Sequence, residues 1–450
     1  MSMKKMNGLF ALLIGIGIYL FWAVALEAPT SGEMIDFQDV YYGARCALQH
    51  HDPYNENEMS RVYSAEKRVQ SPDPLERDLE QQHVVGQVYP PPTFLCTVPF
   101  AVLPWESAHR LWKILTAGLF ILSACLVWNL AASDAPGVAG CLIGFMLASS
   151  EILIASGNLA GIAVSLCVLA VWSFVQERFV PAGILCLAIS LSIKPHDAGL
   201  VWLYFLLAGG TYRKRAMQSL AAFAVICVPS VIWITRISPS WMRELLSNLS
   251  KASVPGGLSD PRTANLTSGM IIDLQALISV FWNNPFAFNL MSYLICGALL
   301  FVLSLKAMRS RSTSHDVWLA LAAIAPLSML PTYHRPYDAR LLLLTLPACA
   351  ILWTEGGIIA KFALWVNAAA IVFSSDVPWI TVLLLSSNPH LGPATQAGKM
   401  MLVGLTRPAP AALLVLAIFY LWVYVRRTPR AMTPAIAGGS NAIPNAPTAT

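Results

Sequence analysis

The chain has 450 residues, of which 56% are hydrophobic and only 12% charged, with a formal net charge of +5. Soluble domains carry about 25% charged residues, so this composition excludes an ordinary soluble enzyme. With no basic block long enough to follow a phosphate backbone, it also excludes nucleic-acid binding. The remaining class is an all-α polytopic protein of the lipid bilayer. Its nine cysteines fall almost all in apolar segments. Cys46 alone lies in a polar loop, so no disulfide framework is available there, and no Cys/His zinc spacing occurs.

Lys4 and Lys5 place the N-terminus in the cytoplasm by the positive-inside rule. Residues 6–26 follow, long enough to span at about 20 residues per crossing. Ala23-Val24-Ala25 matches a signal-peptidase pattern, but the apolar run is longer than a signal core, so a retained anchor is expected. Residues 27–87 then form a large, acid-rich first external loop. Within it, Phe37, Val40, Tyr41, Ala44 and Leu48 share one face at helical spacing, and Asp36, Asp39 and Gly43 share the other. This pattern predicts a short helix lying on the membrane, apolar side down and acids in water.

Residues 88–104 are apolar but bracketed by prolines, which suggests a re-entrant hairpin or a short tilted crossing. Further spans are expected at 108–131, 137–152, 158–175, 180–193, 196–209, 216–236, 287–305, 317–333, 338–353, 358–375 and 402–425, giving about ten to thirteen helices. Several are short, and broken helices at membrane depth are tolerated where they line a cavity. Treating 88–104 as re-entrant makes the basic clusters at 212–215, 306–311 and 426–430 cytoplasmic. The chain is then one transmembrane domain, 1–430, with both termini inside, a second external loop at 237–268 and a disordered tail at 431–450. Asn248 and Asn265 begin glycosylation sequons of little weight.

The polar residues set between apolar runs are the candidates for chemistry. Asp36 and Asp39 suit a helix start, and Asp36 equally suits a general base that accepts a proton from a sugar hydroxyl. Lys194 interrupts an apolar stretch, at a cost of roughly 2.5–3.5 kcal/mol at the bilayer centre. It either pairs with Asp197 or holds a lipid-linked phosphate, with His196 as a second donor. Thr332 to Arg340 carry His334, Arg335, Tyr337, Asp338 and Arg340, and guanidinium groups suit phosphate oxygens. The alternative is a helix connection with an aromatic anchor and an Arg–Asp pair. Gln87, Tyr89 and Pro90 to Pro92 open the re-entrant candidate. Asn158 caps a helix or meets substrate. Glu151 and Asp376 are intramembrane acids with no assigned role.

Five segments in order resemble glycosyltransferase family 87. They are DFQDVYYGARCALQHHDPYN, YPPPTFLCTVPFAVLPWESAHRLW, SGNLAGIAVSLCVLA, LSIKPHDAGLVWLYFLL and YHRPYDARLLLLTLP. The resemblance implies a GT-C membrane fold. It implies transfer of a mannose- or arabinofuranose-like sugar from a polyprenyl-phosphate donor to a glycolipid or polysaccharide acceptor, at the outer face of a bacterial plasma membrane. It implies inversion, no cofactor and no bound metal. Asp36 is then the general base, and Lys194, His334 and Arg335 face the donor phosphate. Asp39, Tyr89, Asn158, His196, Tyr337, Asp338 and Arg340 complete the expected substrate-binding set. Asn158, where the family often has Gln, and His50-His51, where a glycine is common, are departures that bear on sugar or acceptor choice. The rival readings are a lipid-linked sugar flippase, which usually shows internal repeats, and a polysaccharide ligase using pyrophosphate donors.

Overall fold

Apolar, proline-punctuated sequence in a bilayer must satisfy its backbone internally, and helices do so within one segment. The computed structural model describes residues 3–25, 34–66, 84–309, 313–392 and 395–427, and contains no strand among them. In chain order the helices are α1 (Met3–Ala25), α2 (Ile35–Leu48), α3 (Glu56–Glu66), α4 (Pro91–Ala101), α5 (Trp105–Ala131), α6 (Pro136–Ala148), α7 (Glu151–Ser156), α8 (Ala160–Gln176), α9 (Val180–Ile193) and α10 (Pro195–Ala208). They continue as α11 (Gly210–Ile237), α12 (Trp241–Ala252), α13 (Leu274–Ile278), α14 (Pro285–Arg309), α15 (Ser314–Met329), α16 (Leu346–Glu355), α17 (Gly357–Phe373), α18 (Val377–Ser386), α19 (Gln396–Thr406) and α20 (Pro408–Arg426). A 3-10 turn, Asp338–Thr345, precedes α16. Prolines pre-set many of the starts, in the first turns of α4, α6, α10 and α20, where the missing N–H costs nothing. A Thr313–Asp316 capping box opens α15.

Among the described residues, five stretches are long and apolar enough to cross a bilayer: α1, α5, α11, α14 and the Gln396–Arg426 run; α17 and α18, bent by 43°, make a sixth if taken as one. The crossings expected at 137–152, 158–175 and 180–193 are the shorter apolar helices α6, α8 and α9. The ambiguous 88–104 stretch is the 11-residue α4. At 1.5 Å per residue it extends about 16 Å, half a hydrocarbon core. The acids at 73–80 and the tail from Arg430 lie outside the described residues.

The anchor segment is built into the helical body. A Cβ on Gly8 would meet the Pro136 carbonyl oxygen at 2.1 Å, one on Gly15 the Gly144 oxygen at 2.3 Å, and one on Gly144 the Ala11 oxygen at 2.4 Å. The backbones of α1 and α6 therefore touch, the close approach that small residues allow between membrane helices.

The helix expected to lie on the membrane is instead enclosed. Asp36, Gln38 and Asp39 are at most 6% exposed, and the apolar face is buried too, apart from Leu48 at its end. The cause is an aromatic stack supplied by distant sequence. Phe37 lies 4.4 Å from Trp112 and 5.5 Å from Trp105, both nearly parallel, with Phe100 edge-on at 6.1 Å. On the other side Gly43 lets Phe94 and Gln87 approach; a Cβ there would meet the Phe94 ring at 2.6 Å. The 237–268 segment carries α12, whose Trp241, Leu245 and Asn248 face inward while Met242 and Leu246 are exposed. Asn248 donates to the Tyr54 and Gln87 carbonyls, which closes that sequon to modification.

Candidate active site

The site is assembled at one end of the molecule from α2, the α7–α8 turn, the α9–α10 break and the loop before the 3-10 turn. Met34, in the left-handed region (φ 52°), starts α2, and its N–H donates to the Ala155 carbonyl at 2.9 Å. Asp36 therefore sits in the first turn, where a carboxylate is favoured, and is not the cap residue. Gly157 (φ 63°) is packed against Met34 and Phe37, where a Cβ would come within 2.7 Å of the Met34 side chain. Its carbonyl accepts from Trp112 Nε1 at 2.9 Å. The next residue, Asn158, does two jobs: its Oδ1 accepts from the Ala160 amide at 2.8 Å and its Nδ2 donates to Asp36 Oδ2 at 2.9 Å. The turn that starts α8 thus orients the Asp36 carboxylate.

Asp39 lies one turn on, under Gln87. The Gln87 amide donates to the Asp39 carboxylate and to its backbone carbonyl at 2.7 Å. Burial pushes the Asp39 carboxyl well above the usual range and the charge of Asp36 adds to this, against the opposing hydrogen bond from Gln87. Asp39 therefore favours the neutral acid beside Asp36.

Opposite the two acids stands a cluster of cations and aromatics. Thr93 of α4 donates to the Ser192 and Ile193 carbonyls at the end of α9. There Pro195 starts α10 and leaves Lys194 between two helices. Lys194 Nζ is ion-paired with Asp338, lies 3.7 Å from Asp197 Oδ2 and sits over the Tyr337 ring at 5.0 Å. Its charge is shared between two carboxylates, so the pairing read from sequence describes it, with Asp338 as a further partner. The loop is stitched down by the Ile272 amide, which donates to the His334 carbonyl at 3.0 Å, and by the Arg335 amide, which donates to Asp338 Oδ2 at 2.9 Å. The Arg335 guanidinium lies over Tyr333 at 5.4 Å and makes one long contact, 3.4 Å, with the Leu258 carbonyl. Its Nε is buried with no hydrogen-bond partner.

Asp36 is within electrostatic reach of Tyr89, Lys194, Tyr333, Arg335 and Tyr337. The acid of the first loop and the cations of distant helices therefore lie near one another. His334 is fully buried, with the half-exposed His196 ring edge-on at 4.8 Å. Arg340 goes elsewhere: its guanidinium is spent on Asp376 at 2.9 Å and the Ser149 carbonyl at 2.9 Å, a buried pair that ties the 3-10 turn to the α17–α18 bend. Asp376 also accepts from the Ile152 amide at 2.7 Å.

Sequence reasoning gave Gln87 and Tyr333 no firm role and read Asp197 only as a partner for Lys194. Asp197 proves to be the hub of the Lys194, His196 and His334 contacts. Its place in Lys-Pro-His-Asp, in the first turn after a helix break, was the available signal.

The model of glycosyltransferase family 87 matches residues 88–330, from just before α4 through α15. The match includes Asn158, Lys194 and His196, and lies between Asp36 and Tyr333. No curated protein and no solved structure matches the chain. With more than half its length matched and its long apolar helices in place, the chain belongs to glycosyltransferase family 87 and is a membrane glycosyltransferase.

Proposed function

We propose that this protein moves a mannose- or arabinofuranose-like sugar from a polyprenyl-phosphate donor to a hydroxyl of a glycolipid or polysaccharide, at the outer face of a bacterial plasma membrane. The observation that supports the reading is the buried Asp36 carboxylate, oriented by Asn158 and within electrostatic reach of Arg335. Asp36 takes the proton of the acceptor hydroxyl as its oxygen attacks the anomeric carbon. The bond from that carbon to the phosphate oxygen breaks, and the polyprenyl phosphate leaves with the electron pair. Direct displacement inverts the anomeric centre. The leaving phosphate gains charge in the transition state, and a preorganised cation stabilises it most there. Arg335, with its unpartnered Nε and a fork suited to phosphate oxygens, takes that role. Lys194, held by Asp338 and Asp197, acts at one remove by fixing the loop that presents Arg335.

The test is transfer from labelled polyprenyl-phosphate sugar by the purified protein. A missing general base costs about 10²–10⁴-fold in rate, so Asp36→Asn should lose that much while eluting and melting like wild type. A variant that transfers at the wild-type rate removes Asp36 from the mechanism.

A further inference from the structure

His196, Asp197 and His334 come together from two separate segments, and their ligand atoms lie within 4.8 Å of one another. Asp197 and His334 are fully buried, and neither Asp197 oxygen nor His334 Nε2 has a hydrogen-bond partner. The His334 ring is fixed from behind, with Nδ1 2.8 Å from the Thr332 carbonyl. A carbonyl only accepts, so Nδ1 carries a proton and Nε2 is turned toward Asp197. That places Nε2 3.3 Å from Asp197 Oδ1, with His196 Nε2 at 3.9 Å from the same oxygen. Either a proton or a metal cation must lie between the two atoms, and buried polar groups left unsatisfied are costly.

The geometry points to a bound divalent ion of the zinc class, held by His196 Nε2, Asp197 Oδ1 and His334 Nε2. Ligands at about 2.0–2.2 Å around a tetrahedral ion sit about 3.4 Å from one another. The Asp197–His334 edge already has that length. The His196 edge to Asp197 is about half an ångström longer by that measure, and the His196 side chain is partly exposed. The carbonyl behind His334 is the usual way a metal-binding imidazole is oriented. Two imidazoles and a carboxylate suit a borderline ion such as zinc and leave a fourth position open. Lys194 approaches the other oxygen, Oδ2, and its charge is offset by Asp338, so Oδ1 remains for the ion. An anionic oxygen fits the open position. That the oxygen is the donor phosphate rests on the reading above; the binding of the ion does not.

The experiment uses the full chain in detergent, purified without a polyhistidine tag. Metal content is measured after dialysis against Zn²⁺, and a visible absorption band is sought after loading with Co²⁺. One ion per chain is expected, with affinity reduced in His196→Ala by at least the ~10–100-fold that losing a residue orienting a ligand costs. His196 is on the surface, so that variant should fold; its melting temperature is the control. Absence of stoichiometric metal, or equal affinity in wild type, His196→Ala and His334→Ala, would overturn the site and leave an imidazolium–carboxylate pair. Sugar transfer is measured on the same samples. A protein that binds the ion but transfers nothing sinks the transferase reading alone, and one that transfers but binds no ion sinks the metal site alone.

Discussion

Lys194 and Arg335 both bring positive charge to the site, but they face different things. Lys194 is locked between Asp338 and Asp197; Arg335 rests on an aromatic face with its Nε unpartnered. If Arg335 holds the donor phosphate by its planar fork, Arg335→Lys keeps the charge and loses the geometry. It should slow transfer by about 10-fold or more, the loss of one charge-assisted hydrogen bond of roughly 1.5–3 kcal/mol, with an unchanged melting temperature. Wild-type kinetics in that variant would show that the phosphate sits elsewhere. Asp39 makes a prediction about pH. Its carboxyl is raised by burial and by Asp36, so the folded value lies above the unfolded one. The stability tied to the neutral acid is complete below the unfolded value of about 3.9 and is lost as pH rises toward the folded value. Asp39→Asn mimics the neutral form and can still accept from Gln87. Its melting temperature should gain on wild type between pH 5 and pH 8. A difference that does not change with pH would mean that Asp39 is not destabilised by ionising.

At the scale of elements, the short helices were legible because prolines and polar breaks cut the apolar runs, and α4 was legible as a short segment, re-entrant or tilted. The burial of α2 was not. Its two-faced pattern describes a helix on a membrane equally well as one between Trp105, Trp112 and Phe94, and nothing local distinguishes lipid from a tryptophan more than sixty residues away. The contact of α1 with α6 was hidden for a similar reason: glycines within apolar helices mean little until their partners are known. The packing makes its own prediction. Gly144→Leu would drive a side chain into the Ala11 backbone, and overpacking costs about 1–3 kcal/mol. Gly17 lies on α1 with open space where a Cβ would be. Gly17→Leu should therefore leave melting and yield of monodisperse protein unchanged, while Gly144→Leu lowers both. Equal behaviour of the two would mean that α1 does not pack on α6.

For the whole molecule, the nearness of Asp36 and Lys194 was expected once a topology had been chosen, because the positive-inside rule assigned the polar breaks to one side. The commitment of Arg340 to Asp376 was not, since two charges 36 residues apart carry no sign of which partner each takes. The topology itself rests on where the cations gather. Lys306 donates to the Arg427 carbonyl at 3.0 Å, and Arg427 pairs with Glu355, so the ends of α14, α16 and α20 meet on one basic face. The 3-10 turn and α16 run from the site to that face, about 30 Å if collinear, the thickness of the hydrocarbon core. Cations favour the cytoplasm, which supports the proposal that Asp36 and Arg335 lie on the outer side, where lipid-linked sugars and not nucleotide sugars would be the donors. Two loop glycine pairs allow a test, since loop tips tolerate insertions. Gly256-Gly257 adjoins Leu258, the Arg335 contact, and Gly356-Gly357 follows Glu355 on the basic face. An epitope placed at the first should be reached by antibody in right-side-out vesicles, and one at the second only after permeabilisation. The opposite labelling would turn the site toward the cytoplasm and replace a polyprenyl-phosphate donor with one that is made there.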